Sequence, residues 1–146
     1  MKRLIIIGAS GHGKVISDIA KLNGYSDIAF LDDNPTVKTC GDYPVVGTRA
    51  LLETLEGGVV VGVGNAYIRK QIQELIPEDR LATLIHPNAV IGSNVKIGRG
   101  TVVMAGAVIN NGSVIGKGCI INTCASVDHD CCLCDLDRKS VCRERV

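Results

Sequence analysis

A small parallel α/β domain running into a β-solenoid of hexapeptide coils is the fold class the sequence predicts. Three observations predict it. Strand-length apolar runs alternate with helix-period segments before residue 80, a glycine-rich turn separates the first strand from the first helix, and from Ile85 every sixth residue is aliphatic.

The bulk properties narrow the field. A chain of 146 residues suits one ordinary domain or two small ones. Sixteen Lys and Arg against fifteen Asp and Glu leave a net charge of +1, without the basic excess that a nucleic-acid or anionic-membrane surface needs. Hydrophobic residues reach 46% while aromatics are 3% with no Trp, so the core falls to Ile, Val, Leu and Ala. The apolar run after Lys2 and Arg3 stops at Gly8, short of the roughly 7–15 residues of a signal-peptide core. No stretch approaches the ~18 apolar residues of a membrane span, so a cytoplasmic protein is expected. Of seven cysteines, Cys40 stands alone and six lie between Cys119 and Cys142; without a secretory signal, reduced thiols are the expectation. Cys131, Cys132, Cys134 and Cys142 would suit zinc chemically, but the usual arrangement of two CxxC pairs is absent, and no metal is expected.

Taken in order, Arg3 to Ile7 reads as a buried strand ending in Gly8-Ala-Ser-Gly-His-Gly13. Val15, Ile16, Ile19, Ala20 and Leu22 follow at helical spacing and stop at Asn23-Gly24. Ile28 to Leu31 is a second strand running into Asp32-Asp33, Pro44 to Val46 a third extended piece, and Arg49 to Glu56 a helix. Gly58 to Gly62 reads as another strand, after which Asn65 caps a helix from about Ala66 to Ile76. A glycine-rich turn opening a helix lets backbone N–H groups and the helix dipole meet an anion. The spacing Gly8, Gly11, Gly13 is GxxGxG, not the dinucleotide fingerprint GxGxxG. Asp32 and Asp33 come about twenty residues later, where a carboxylate can meet a ribose or base. Only half a dinucleotide fold fits before residue 80, so a mononucleotide or nucleotide-sugar is expected in place of NAD.

Ile85, Ile91, Ile97, Val103, Ile109, Ile115, Ile121, Val127 and Leu133 then keep an unbroken period of six. Four residues after each comes a mostly small residue, as at Ala89, Thr101, Ala107, Ser113, Cys119, Ala125 and Cys131. Six fits neither a 3.6-residue helix nor a simple hairpin meander, but it fits one flat side of a three-sided coil. Three hexapeptides make a coil of eighteen, so Ile85, Val103 and Ile121 stack on one side. Ile91, Ile109 and Val127 stack on the second, and Ile97, Ile115 and Leu133 on the third.

The series Gly8-Ala-Ser-Gly-His-Gly13, Leu31-Asp32-Asp33, Gly62-Val-Gly-Asn65 with Ile68-Arg69-Lys70, Leu84-Ile-His-Pro87 and then the hexapeptides resembles the bacterial sugar acetyltransferases. That family includes sialic acid O-acetyltransferases and UDP-4-amino-sugar N-acetyltransferases. The resemblance covers residues 1 to about 135. It implies a Rossmann-like domain over 1–80 and a left-handed β-helix over 81–138, a winding opposite to the usual right-handed crossover. It implies a homotrimer, a nucleotide-sugar or sugar substrate, and acetyl-CoA as cosubstrate bound between adjacent β-helices. Gly11, His12, Gly13, Asp32, Asp33 and Asn65 would hold the nucleotide-sugar. The segment Ser126-Val-Asp-His-Asp130 matches the one carrying the family's catalytic histidine, making His129 the expected general base and Asp130 its orienting carboxylate, with Asp128 as the substitute. His86 is expected to be structural.

Past Leu133 the sequence departs from the pattern. Lys139 falls in the tenth aliphatic slot and Asp137 in the matching small one, and residues 135–146 carry seven charges. The family continues with further coils, a second histidine, a glycine N–H that serves the oxyanion and a C-terminal cap, so the β-helix is expected to be incomplete, with 139–146 a charged tail. The chemistry expected is acetylation of a nucleotide-linked amino sugar or of sialic acid. The alternative is a nucleotide-sugar-binding protein that has lost catalysis. A hexapeptide-repeat zinc enzyme is disfavoured, because it needs about three histidines at one site and the repeats hold only His86 and His129.

Overall fold

The run Leu-Ile-Ile-Ile from Leu4 to Ile7 lacks the alternation of a half-buried strand, and it is buried throughout because β1 (Arg3–Ile7) lies mid-sheet. The computed structural model describes residues 2–140 and divides into two compact units, Met1–Ala82 and Thr83–Val146. In the first unit β2 (Asp27–Leu31) and β5 (Gly58–Val61) pair in parallel with the two edges of β1. Two further strands, β3 (Thr39–Cys40) and β4 (Tyr43–Gly47), extend the sheet to the order β3-β4-β2-β1-β5. β4 runs parallel to β2, and β3 is an antiparallel edge piece that the sequence reading did not anticipate.

Helices α1 (Gly11–Leu22) and α2 (Ala66–Glu74) cover the sheet. Alternate residues Ile5, Ile7, Ala29, Leu31, Val59 and Val61 form one buried face, with Ile72, Ile76 and Leu81 packed on it. The helix expected over Arg49 to Glu56 is a 3-10 turn, Arg49–Thr54, with no buried residue. Of the turn's apolar residues Leu52 alone packs against the core, and the chain is already extended at Leu55, so a longer helix gains little packing energy.

The second unit is built from two-residue strands. β6 (Leu84–Ile85), β9 (Val102–Val103), β12 (Ile120–Ile121) and β15 (Arg138–Lys139) form one parallel sheet. β7 (Val90–Ile91), β10 (Val108–Ile109) and β13 (Ser126–Val127) form the second. β8 (Lys96–Ile97), β11 (Val114–Ile115) and β14 (Cys132–Leu133) form the third. The registers pair Ile85 with Val103, Ile109 with Ile91 and Val127, and Ile115 with Ile97 and Leu133, which are the three expected stacks. Val103, Ile109, Ile115, Ile121 and Val127 are buried together with the small residues Ala107, Cys119 and Ala125.

Side chains in the small slots also tie coil to coil. Thr101 Oγ1 donates to the carbonyl of Gly116 at 2.8 Å and accepts the N–H of Cys119 at 3.0 Å. Ser113 Oγ repeats the pattern, donating to Asp128 O at 2.7 Å and accepting from Cys131 N at 3.1 Å. Cys119 Sγ donates to Cys134 O at 3.0 Å. A small polar residue thus satisfies a carbonyl fifteen positions on and, where it is a hydroxyl, an N–H eighteen positions on.

Coil geometry continues through β15, where Lys139 pairs with Ile121 despite breaking the aliphatic rule. The ladder bonds there, Ile120 N to Asp137 O and Asn122 N to Lys139 O, are backbone bonds and do not require an apolar side chain. Asp135 Oδ1 accepts the N–H of Lys117 and Asp137 Oδ2 that of Cys134, so two of the charges in this segment cap backbone donors.

Candidate active site

From Asn94 to Leu136 each solenoid corner turns through a residue in the left-handed region. One corner stacks Asn94, Gly112 and Asp130, with φ of 59°, 80° and 55°. Asn and Asp adopt this region more readily than most side chains. Gly112 N bonds to Ser93 O and Asp130 N to Asn111 O, so each turn hangs on the one before. His129 sits at the outermost of these turns, directly after Asp128.

The His129 side chain is 81% exposed and that of Asp130 77%. His129 Nδ1 lies 2.9 Å from Asp130 Oδ2. A carboxylate only accepts, so Nδ1 carries the hydrogen and donates it, leaving the Nε2 lone pair open to solvent. The hydrogen bond to Asp130, its charge and that of Asp128 raise the His129 pKa above the ordinary imidazole value. The imidazole is thereby oriented and made more basic, as a general base requires. His86 is different: its Nδ1 accepts the N–H of Asn88 at 2.9 Å and braces the first corner.

In the α/β unit the expected nucleotide residues divide. Asp32 and Asp33 line a cleft of ≈ 180 Å³ with Gly8, Arg49, Val63 and Ile68, at the carboxyl ends of β1, β2 and β5. Gly11, His12, Gly13 and Asn65 are not among its lining residues. Asp32 already engages both oxygens, accepting from Ala9 N at 2.9 Å and Asn34 N at 2.8 Å, and so ties the glycine loop to the end of β2. Asp33 accepts the Arg49 N–H at 3.0 Å and pairs with its guanidinium at 2.8 Å. That backbone bond, then the guanidinium, holds its carboxyl below the usual range. Asp33 and Arg49 also border an adjoining, more apolar hollow of ≈ 380 Å³ lined by Leu52, Ile72 and Leu75. Arg49 is the residue of this cleft that sequence reasoning missed, because nothing in its local pattern distinguishes it from a helix-surface arginine.

The glycines of the loop have separate reasons. Gly8 has φ +108°, and a Cβ there would come 2.9 Å from Gly62 O. A Cβ on Gly13 would overlap Gly8 O and stand 2.9 Å from Phe30 Cε1, whereas one on Gly11 meets nothing within 4 Å. Asn65 caps α2 as expected, its Oδ1 accepting Ile68 N at 3.0 Å. The buried Arg69 donates to the carbonyls of Val63 and Gly64, both at 3.0 Å, fixing the loop after β5.

The buried thiols Cys40 and Cys119 have raised pKa values, mainly from burial, and are poor nucleophiles at neutral pH. Cys132 opens β14 and is exposed, whereas Cys131, just before the strand, packs against the solenoid core. Cys142 lies outside the described residues. Among the described residues no three His, Cys, Asp or Glu side chains converge as a metal would need.

A parallel α/β unit with a cleft at its strand ends, followed by hexapeptide coils that present a carboxylate-held imidazole, defines the architecture of a hexapeptide-repeat transferase. Residues 3–76 match the PglD N-terminal domain family and residues 82–111 the bacterial transferase hexapeptide (six repeats) family. The chain belongs to the bacterial sugar acetyltransferases that carry a PglD-type N-terminal domain, and its solenoid is their left-handed β-helix.

It is 38% identical over 108 residues to UDP-N-acetylbacillosamine N-acetyltransferase of Bacillus subtilis (strain 168), a match covering 67% of this chain and 49% of that protein. The chain thus spans about half the length of this curated relative. The acetyltransferase domain of PglB from Neisseria gonorrhoeae FA1090 is 43% identical with a TM-score of 0.86, covering 94% of this chain and 70% of that one. The same domain has been solved in complex with acetyl coenzyme A. PerB from Caulobacter crescentus, solved with CoA and GDP-perosamine, is 35% identical with a TM-score of 0.84, covering 94% and 68%. Among the described residues no helix is long and apolar enough to cross a membrane.

Proposed function

We propose that this chain serves the acetyl-CoA-dependent N-acetylation of a nucleotide-linked amino sugar, with His129 as general base. One observation carries the reading: an exposed imidazole whose Nδ1 is held 2.9 Å from Asp130, leaving Nε2 open. The sugar amine attacks the thioester carbonyl, Nε2 takes the proton released, and the imidazolium returns it to the departing CoA thiolate. Atoms and charge balance without a metal. Asp130 stabilises the transient imidazolium.

The cleft of the α/β unit is the nucleotide site, with the Asp33–Arg49 pair at its rim. Amino-sugar N-acetylation is preferred to sialic acid O-acetylation because the relatives named for a substrate act on or bind nucleotide-linked amino sugars. A cytoplasmic homotrimer is the assembly this reading supposes.

The test is product formation from acetyl-CoA and UDP- or GDP-linked 4-amino sugars, followed by mass spectrometry of the acetylated sugar. A thiol reagent is unsuitable, since Cys124, Cys132 and Cys134 are exposed. Acetylated product is expected. Thermal stabilisation by the nucleotide-sugar without product would favour a binding protein instead, and neither effect would reject both readings.

A further inference from the structure

Gly112 lies one coil below Asp130 at the same corner, and Asn94 one coil below Gly112. Asn94 adopts the left-handed turn with a side chain in place, so the turn by itself does not demand glycine at this corner. A Cβ at Gly112 would overlap Oδ1 of Asp130, while the other oxygen of that carboxylate, Oδ2, receives the His129 Nδ1–H at 2.9 Å. Both oxygens are therefore placed, one by the space above Gly112 and one by the imidazole.

We infer that Gly112 is a positioning residue for the transfer reaction: its missing side chain is the seat of Asp130 Oδ1, and that seat keeps Oδ2 on His129. The inference rests on the reading of His129 as the base. Gly112 touches no reacting atom and acts only through Asp130. The charged groups set against His129 are Asp130 and Asp128, and the coil below contributes the uncharged Asn110, Asn111 and Gly112. Gly106 is an internal control. It too has positive φ (71°), and its Cβ would come 2.8 Å from Cys124 Sγ, at a different corner.

The experiment compares Gly112→Ala, Gly106→Ala, Asp130→Gly and the double variant Gly112→Ala/Asp130→Gly, using the full chain. The readouts are the His129 imidazole titration by NMR, the pH dependence of kcat/KM, and KM for acetyl-CoA. Gly112→Ala is expected to move the titration of His129 toward that seen in Asp130→Gly and to lower kcat with it, leaving KM for acetyl-CoA unchanged. Gly106→Ala is expected to move neither.

The double variant removes the overlap. It is expected to fold even if Gly112→Ala does not, and to match Asp130→Gly in rate and titration. Additive losses in the double variant, an unmoved titration in folded Gly112→Ala, or a double variant that stays unfolded would each overturn the inference. Turnover by His129→Ala equal to the wild type would instead overturn the base assignment, and the NMR titration keeps the two failures apart.

Discussion

The hydroxyl of Thr101 receives the N–H of Cys119 from the next coil at 3.0 Å and donates to the carbonyl of Gly116 at 2.8 Å. Thr101 and Cys119 are both fully buried, so no water can replace the bond between them. Thr101→Val keeps the shape and removes both hydrogen bonds, leaving their backbone partners in place. The expected loss is about 2–4 kcal/mol, one to three for each orphaned backbone group, less what relaxation recovers. Chemical denaturation of the two proteins measures it, and faster amide exchange at Cys119 in the variant would locate the damage.

His129→Ala removes a solvent-exposed side chain and should leave the melting temperature almost unchanged. Acetylated product should fall by roughly 10²–10⁴-fold, the usual contribution of a general base. Retained turnover in a purified, folded variant would exclude His129 from that role.

The pH dependence has a definite sign. Asp130 and Asp128 raise the His129 pKa, and only the neutral imidazole accepts a proton. The wild-type rate should therefore climb on a limb centred above the ordinary value of about 6.5. Asp130→Asn should move that limb to lower pH while lowering the plateau roughly ten- to a hundredfold. Stability responds in the matching sense: what the protonated pair contributes is present below the unfolded-state pKa and is lost as pH rises through the raised folded value. That change should be small, because both side chains are exposed.

Two glycines two positions apart, Gly11 and Gly13, should behave oppositely. Gly13→Ala drives a methyl into Gly8 O and against Phe30, and should cost about 1–3 kcal/mol as an overpacked contact. Gly11→Ala meets open space at the start of α1 and should be neutral or stabilising by up to about 1 kcal/mol. Thermal melts decide both. If nucleotide phosphates approach α1 at Gly11, the same variant should also weaken nucleotide binding by titration calorimetry.

The period of six made the solenoid readable because each inward aliphatic must land on the same side after eighteen residues. The Ile91–Ile109–Val127 stack follows from spacing alone. Local propensity misled at Arg49–Thr54, where Leu52 alone of the helix-forming leucines and alanine packs on the core and the segment settles into a 3-10 turn. The aliphatic rule broke at Lys139 while the backbone ladder continued, since hydrogen bonds between coils do not read side-chain polarity. At the candidate site, the adjacency of His129 and Asp130 is visible in one dimension. The engagement of Asp32 with Ala9 and the pairing of Asp33 with Arg49 depend on loops meeting at the carboxyl ends of the strands. No spacing rule encodes that.

Bonds that reach fifteen and eighteen positions ahead make the residue count between coils behave like an angular address. Deleting six residues upstream would swing His129 a third of a revolution, to a neighbouring edge of the prism. Deleting eighteen would lower it one storey and keep its bearing. Length variation within the coils is therefore tolerable in whole storeys, and the azimuth of the imidazole is inherited from arithmetic laid down far from it in the chain.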